Sequence, residues 1–196
     1  TRSTDGGKTW SALVPVEQPE TEVDCAVYGV VRRDPGARQS HDGYQLLVGD
    51  RIYLFYGWNV GSQPPVGDKI SRTDMQLEEG FWMRWSDDYG VSFTGGRVLI
   101  PVRRTAIDRS NPWRGETMGA FCCDKPTIID GMVYFAFQKT VDGNGESYGS
   151  EVFFMRSRDL LQLHVDKRPE AATWDTLPRG ETGLQTPRGL LLGEEP

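Results

Sequence analysis

Ser86-Asp87-Asp88-Tyr89-Gly90-Val91-Ser92-Phe93 repeats the pattern of Ser3-Thr4-Asp5-Gly6-Gly7-Lys8-Thr9-Trp10, with Ser for Thr and Phe for Trp in the last two places. A carboxylate placed two residues after a Ser and four before a second hydroxyl can gather both hydroxyls and the loop's own N–H groups. The intervening Gly permits a positive φ that a Cβ would oppose. The closing aromatic predicts an anchor, so Trp10 and Phe93 are expected to be buried. Asp5 and Asp88 are thereby read as structural. Ser157-Arg158-Asp159 opens the pattern a third time and then departs from it.

Working outward, Leu47 to Tyr56 aligns without a gap on Ile128 to Phe137. Each is an apolar run, a Gly/Asp turn and an apolar, aromatic run, which predicts hairpins over 46–57 and 127–138 with largely buried strands. Third strands are expected around Phe81 to Trp85 and Val152 to Arg156. Fourth strands are expected at Ala12 to Val16 and Arg97 to Val102. Helix signals are nearly absent, with a turn or two expected over Asp159 to Val165. The unit is thus four antiparallel strands, with the Asp-bearing turn joining the third to the fourth. Such units in series cannot bury their faces alone and stack around an axis, so the expected fold is all-β, a β-propeller. A β-sandwich is the competing fold. Residues 1–196 read as a single partial propeller domain: the end of one blade, two nearly complete blades and the start of the next.

The chain has 196 residues, a net charge of −6 and a pI near 5.0. An acidic surface repels a phosphate backbone, which argues against nucleic-acid binding. No apolar run is long enough for a membrane-spanning helix. Three Cys and two His offer no metal-ligand spacing, so neither a metal nor another cofactor is expected. Cys122 and Cys123 have no local base and read as packing residues. The chain has no initiator Met and reads as a piece of a longer one. Its compartment is not fixed by these counts, with a secreted or periplasmic setting favoured over a cytoplasmic one.

In a propeller the innermost strand of each blade lines a central funnel, so a site there draws on several blades. The entries to those strands read His41-Asp42-Gly43-Tyr44-Gln45, Cys123-Asp124-Lys125-Pro126 and Gly193-Glu194-Glu195-Pro196. A Pro suits the first residue of a strand. By this alignment Glu194 matches Asp124 and Glu195 matches Lys125. The segment before the second entry carries Arg103, Arg104 and Glu116. Arg binds carboxylates through a rigid fork, and carboxylates supply acid, base or polarising groups for a glycosidic bond. Aromatic side chains such as Tyr44 can stack on sugar rings. Arg103, Arg104, Glu116, Asp124, Lys125, Asp42 and Tyr44 are therefore the candidate substrate-binding residues.

The two turn sequences have the residue pattern of the Asp-box, or BNR repeat, and the chain resembles the sialidase (neuraminidase) superfamily over most of its length. The resemblance implies a six-bladed propeller and an exo-acting glycoside hydrolase that removes a terminal acidic sugar such as sialic acid. In that family a Glu at the start of an inner strand activates a Tyr nucleophile from a later blade. Leu192-Gly193-Glu194-Glu195-Pro196 looks like that entry, with Glu195 the first choice for the base and Glu194 the second. The resemblance puts the family's first Arg and its acid/base Asp before residue 1, and its other two Arg and the Tyr after residue 196. Asp-box propellers also include glycan- or partner-binding proteins without turnover and glycosidases that use two carboxylates, and both remain rival readings.

Overall fold

The structure is a computed structural model that describes residues 1–12, 14, 40–59, 76–111, 115, 118–140 and 150–184. Among them it is almost wholly antiparallel β. The strands are β1 (Ser40–Val48), β2 (Arg51–Asn59), β3 (Gln76–Ser86), β4 (Val98–Pro101), β5 (Met118–Cys122), β6 (Thr127–Ile129), β7 (Met132–Thr140), β8 (Glu151–Ser157) and β9 (Asp175–Leu177). Two short helices, α1 (Ala106–Ser110) and α2 (Leu160–Val165), lie in connections.

Both expected hairpins are present, but their first strands are not largely buried: Leu47 in β1 is exposed, and β6 is exposed throughout. Leu47 pairs Ile52 across the first, and Ile128 pairs Val133 across the second. β3 adds to β2 and β4 to β3; β8 adds to β7 and β9 to β8. Two four-stranded meanders result, β1 to β4 and β6 to β9. β5 extends the second beyond β6 along the same edge of β7, and two residue pairs to β3 join the meanders into one sheet.

Alternation along the strands then sets what packs where. In β7 the alternating buried positions are Val133, Phe135, Phe137 and Lys139, with the final Thr140 buried as well; in β8 they are Glu151, Phe153, Met155 and Ser157. The same period buries Tyr53 and Phe55 in β2 and Phe81 and Met83 in β3. These two faces meet as one core. Phe55 lies 5.4 Å from Phe135, and Phe81 packs edge-on to Phe135 and Phe137 at 5.5 and 5.3 Å. The opposite faces were expected to be nearly as buried. They are instead half-buried, through Leu54 and Trp82 on one unit and Tyr134 and Phe154 on the other. At Gly80 the β4 backbone comes so close that a Cβ would sit 2.1 Å from the Ile100 carbonyl oxygen.

The Asp-bearing turns have the geometry their sequences predict. Asp5 accepts the N–H groups of Lys8 and Thr9 and the Ser3 hydroxyl, at 2.8 Å, on Oδ1, and the Thr9 hydroxyl, at 2.7 Å, on Oδ2. Asp88 accepts from Ser86, from the Ser92 N–H and from the Ser92 hydroxyl at 2.6 Å. Gly7 and Gly90 both have positive φ, and each N–H donates to the leading Ser at 2.7 Å.

The third copy does not decay. Ser157 donates to Asp159 at 2.9 Å, and Asp159 accepts from the N–H and hydroxyl of Thr173 at 3.0 and 2.6 Å. Thr173-Trp174 is the Thr-Trp end of the pattern, displaced by an insertion that contains α2. Trp174 anchors as the pattern requires, packing 5.7 Å from Phe55 and 5.8 Å from Phe135 between the two units. The expectation fails for Trp10, which is 63% exposed, and Phe93 is only half-buried. The turn's hydrogen bonds close within the turn itself, so its geometry does not depend on burying the ring.

Candidate functional site

The strand registers define two ends of each unit. The Asp-bearing turns lie with the β1–β2 and β6–β7 hairpin turns, since Ser86 pairs Ile52 and Ser157 pairs Val133. The other end holds the entries to the first strands. There both units break their edge-strand pairing. β1 bulges between His41, opposite Gly57, and Tyr44, opposite Phe55. In the second unit the pairing to β7 passes from Cys122 opposite Phe137, with one more bond from the Cys123 N–H to the Ala136 carbonyl, to Thr127 opposite Tyr134, leaving residues 124–126 outside the ladder. Bulges re-aim side chains and interrupt pairing, and they concentrate near sites.

Asp42 stands in the first bulge, and its side chain lies outside the described residues. Tyr44 ends that bulge and is half-buried against the core. Asp124 and Lys125 occupy the second bulge with exposed side chains, and Asp124 accepts from the Lys125 N–H at 2.6 Å. They border an open depression of ≈ 290 Å³ floored by Tyr134, Ala136, Phe154 and Leu177. Asp42 and Tyr44 thus share one break in the edge pairing, and Asp124 and Lys125 share its counterpart.

Arg103 and Arg104 follow β4 at this same end, where the Val102 N–H bonds the Glu79 carbonyl. Arg103 donates to the Pro178 carbonyl at 2.8 Å and to the Gly180 carbonyl. Its fork therefore holds the loop after β9, and a substrate carboxylate would have to displace those carbonyls. Glu116, Glu194 and Glu195 lie outside the described residues.

Sequence reasoning did not single out the buried pair beneath the arginines. Lys139 is fully buried and donates to Asp108 at 2.5 Å, to the Arg103 carbonyl at 2.8 Å and to Thr105 at 3.3 Å. Asp108 also accepts from the Thr105 N–H at 2.7 Å, which caps α1. Burial pulls the Lys139 ammonium below the ordinary lysine value, against the attraction of Asp108. The pair ties residues 103–108 to β7, so it fixes where the Arg103-Arg104 dipeptide stands. Its signal was available: Val133, Phe135 and Phe137 alternate, and the next step of two is Lys139.

Among the described residues no group of three or more His, Cys, Asp and Glu could hold a metal ion, and no helix is long and apolar enough to cross a membrane.

No family model matches the chain, and no curated protein matches it. Among solved structures it is similar to Zg3597, a family 117 glycoside hydrolase produced by the marine bacterium Zobellia galactanivorans, with a TM-score of 0.48 and 17% identity. The similarity covers 76% of this chain and 40% of that one, so the chain spans well under half of that protein's length.

Proposed function

We infer that the chain is part of a β-propeller that works as an exo-acting glycoside hydrolase of the sialidase type, cleaving a terminal acidic sugar. The observation that carries this reading is the recurrence of one hydrogen-bonded turn, at Asp5, Asp88 and Asp159. At Asp88 and Asp159 it closes the third strand onto the fourth in units that pack face to face. A sandwich of two sheets would leave its outer faces to solvent. Here the outer faces carry half-buried Leu54, Trp82, Tyr134 and Phe154, which suits further units on both sides.

On this reading the site is at the entry end of the units. Asp42, Tyr44, Asp124, Lys125 and Arg104 would border the approach, joined, as the sequence alone leads one to expect, by Glu116 and by Glu195 at the start of a further inner strand. The base would be Glu195, with Glu194 as the alternative, accepting the proton of a Tyr as that Tyr attacks the anomeric carbon; the glycosidic C–O bond breaks as the new bond forms, and the leaving oxygen takes a proton from the acid/base Asp that the resemblance puts before residue 1. A phenol suits a substrate that bears a carboxylate on that carbon, because a neutral nucleophile is not repelled by it. The rival is a propeller of the same build that binds glycans without cleaving them. Incubating the intact protein with an α-sialoside and with neutral glycosides separates the two. Release of the acidic sugar alone supports the proposal. Saturable binding without any release supports the rival.

A further inference from the structure

The insertion in the third turn, residues 160–172, reaches back to the first unit. His164, in the last turn of α2, puts Nδ1 3.0 Å from the Tyr53 hydroxyl oxygen, and the two rings meet edge to face at 5.9 Å. Its other nitrogen faces the β1–β2 turn, 3.8 Å from where a Cβ on Gly49 would stand. Tyr53 is completely buried. Arg51 donates to the Tyr53 hydroxyl at 3.4 Å and is itself held by both oxygens of Asp87, at 2.6 and 3.1 Å. The hydroxyl oxygen thus faces a guanidinium on one side, and its hydrogen has the imidazole as acceptor on the other.

We propose that residues 160–172 form a pH-sensitive clasp between the two units: neutral His164 accepts a hydrogen bond from the Tyr53 hydroxyl and holds α2 on the first unit, and protonation of His164 beside the fixed Arg51 guanidinium releases it. The clasp is independent of any catalytic function. A proton added at Nδ1 removes the acceptor, and the Tyr53 hydroxyl hydrogen then has no other acceptor among the described residues. The charged groups around the clasp are Arg51 on β2, Asp87 just beyond β3, Asp50 in the hairpin turn, and Glu170, Asp166 and Lys167 within or beside the insertion. Asp50 is engaged by the Tyr89 hydroxyl at 2.9 Å and Asp87 by Arg51. Burial and then Arg51 hold His164 below the ordinary histidine value, and Asp87 offsets this in part. Undocking therefore begins as pH falls below about 6.5, the value of a free imidazole, and deepens until the docked imidazole itself titrates.

The test is hydrogen exchange of residues 160–172 in the intact protein at pH 7 and pH 5, corrected for intrinsic rates, with an imidazole NMR titration alongside. The sequence holds only His41 and His164, so His41→Gln assigns the signals. Protection of 160–172 is expected to fall at pH 5 by several-fold, and by no more than about thirty-fold, the limit set by a free-state value near 6.5. β7 should serve as an unchanged reference. His164→Gln should abolish the pH difference, and Tyr53→Phe should lower protection at both pH values. Equal protection at pH 7 and pH 5, the same loss in His164→Gln, or a His164 midpoint at or above 6.5 would each overturn the proposal.

Discussion

Thr173 stands to Asp159 as Ser92 stands to Asp88, although the first pair is 14 residues apart in sequence and the second only 4. In both, one carboxylate oxygen takes the residue's N–H and the other takes its hydroxyl. Burial works against ionisation of Asp159, and the Thr173 bonds outweigh it, holding its carboxyl below the usual range. Thr173→Val should lower stability by about 1 kcal/mol, the net worth of a hydrogen bond at a partly exposed site. Thr173→Ser should restore it. Urea denaturation of the two variants makes the comparison, and equal loss in both would contradict the assigned role.

The two short turns predict an acid transition. Their own hydrogen bonds, led by Thr9 for Asp5 and by Ser92 for Asp88, hold both carboxyls down at about 2. A depressed folded value means that the contribution is complete above the ordinary aspartate value near 4 and is lost as pH falls from there towards 2. Melting temperature should therefore decline across that window. Asp88→Asn should flatten part of the decline while leaving the temperature near pH 7 lower than in the parent. Carboxyl NMR titration of Asp88 with a midpoint near 4 would contradict the prediction.

Asp108 and Lys139 should show the asymmetry of buried ion pairs. Asp108→Ala strands an ammonium in the core and is expected to cost about 3–5 kcal/mol. Lys139→Met in an Asp108→Ala background removes the stranded charge and should recover much of that loss. Chemical denaturation of the single and double variants provides the test. A double variant no more stable than Asp108→Ala would show that the cost lies elsewhere.

For the proposed hydrolase, Glu195→Gln retains size and removes the base. Turnover of a sialoside should fall by about 10²–10⁴-fold, the usual contribution of a positioned base, with an unchanged melting temperature. If Glu194→Gln shows that loss instead, the strand register is off by one residue. Unaltered cleavage in both variants would remove these residues from the reaction.

The strands and the turns were legible because period-two burial and short Asp-Gly-hydroxyl spacings are local properties. Tyr53, Phe55, Val133 and Phe135 announce their faces within a few residues. Thr173 was not legible from its spacing to Asp159, because the insertion breaks the pattern that pairs them. The repeated Thr-Trp dipeptide was the surviving clue. Trp10 differs for the opposite reason: a local motif fixes the backbone of its turn, but burial of a ring depends on what packs over it. Lys139 lay in plain alternation, and its partner Asp108 on another element determines why an ammonium is tolerated there. Arg103 reads in sequence as a free fork, and only the course of the chain after β9 brings carbonyls to it.

The length difference between the turns has a use of its own. Asp159 and Thr173 meet whatever lies between them, and closing a longer loop costs little, about 0.6 kcal/mol per doubling. The third turn is thus a splice point. A short Gly-containing linker in place of residues 161–172 that keeps Leu160, which is fully buried in the core, should leave the second unit folded, and a foreign segment with closely spaced ends could be carried there without disturbing the strands on either side. Other repeats of this kind can therefore acquire or shed whole appendages at one fixed address while the sheet beneath keeps its sequence.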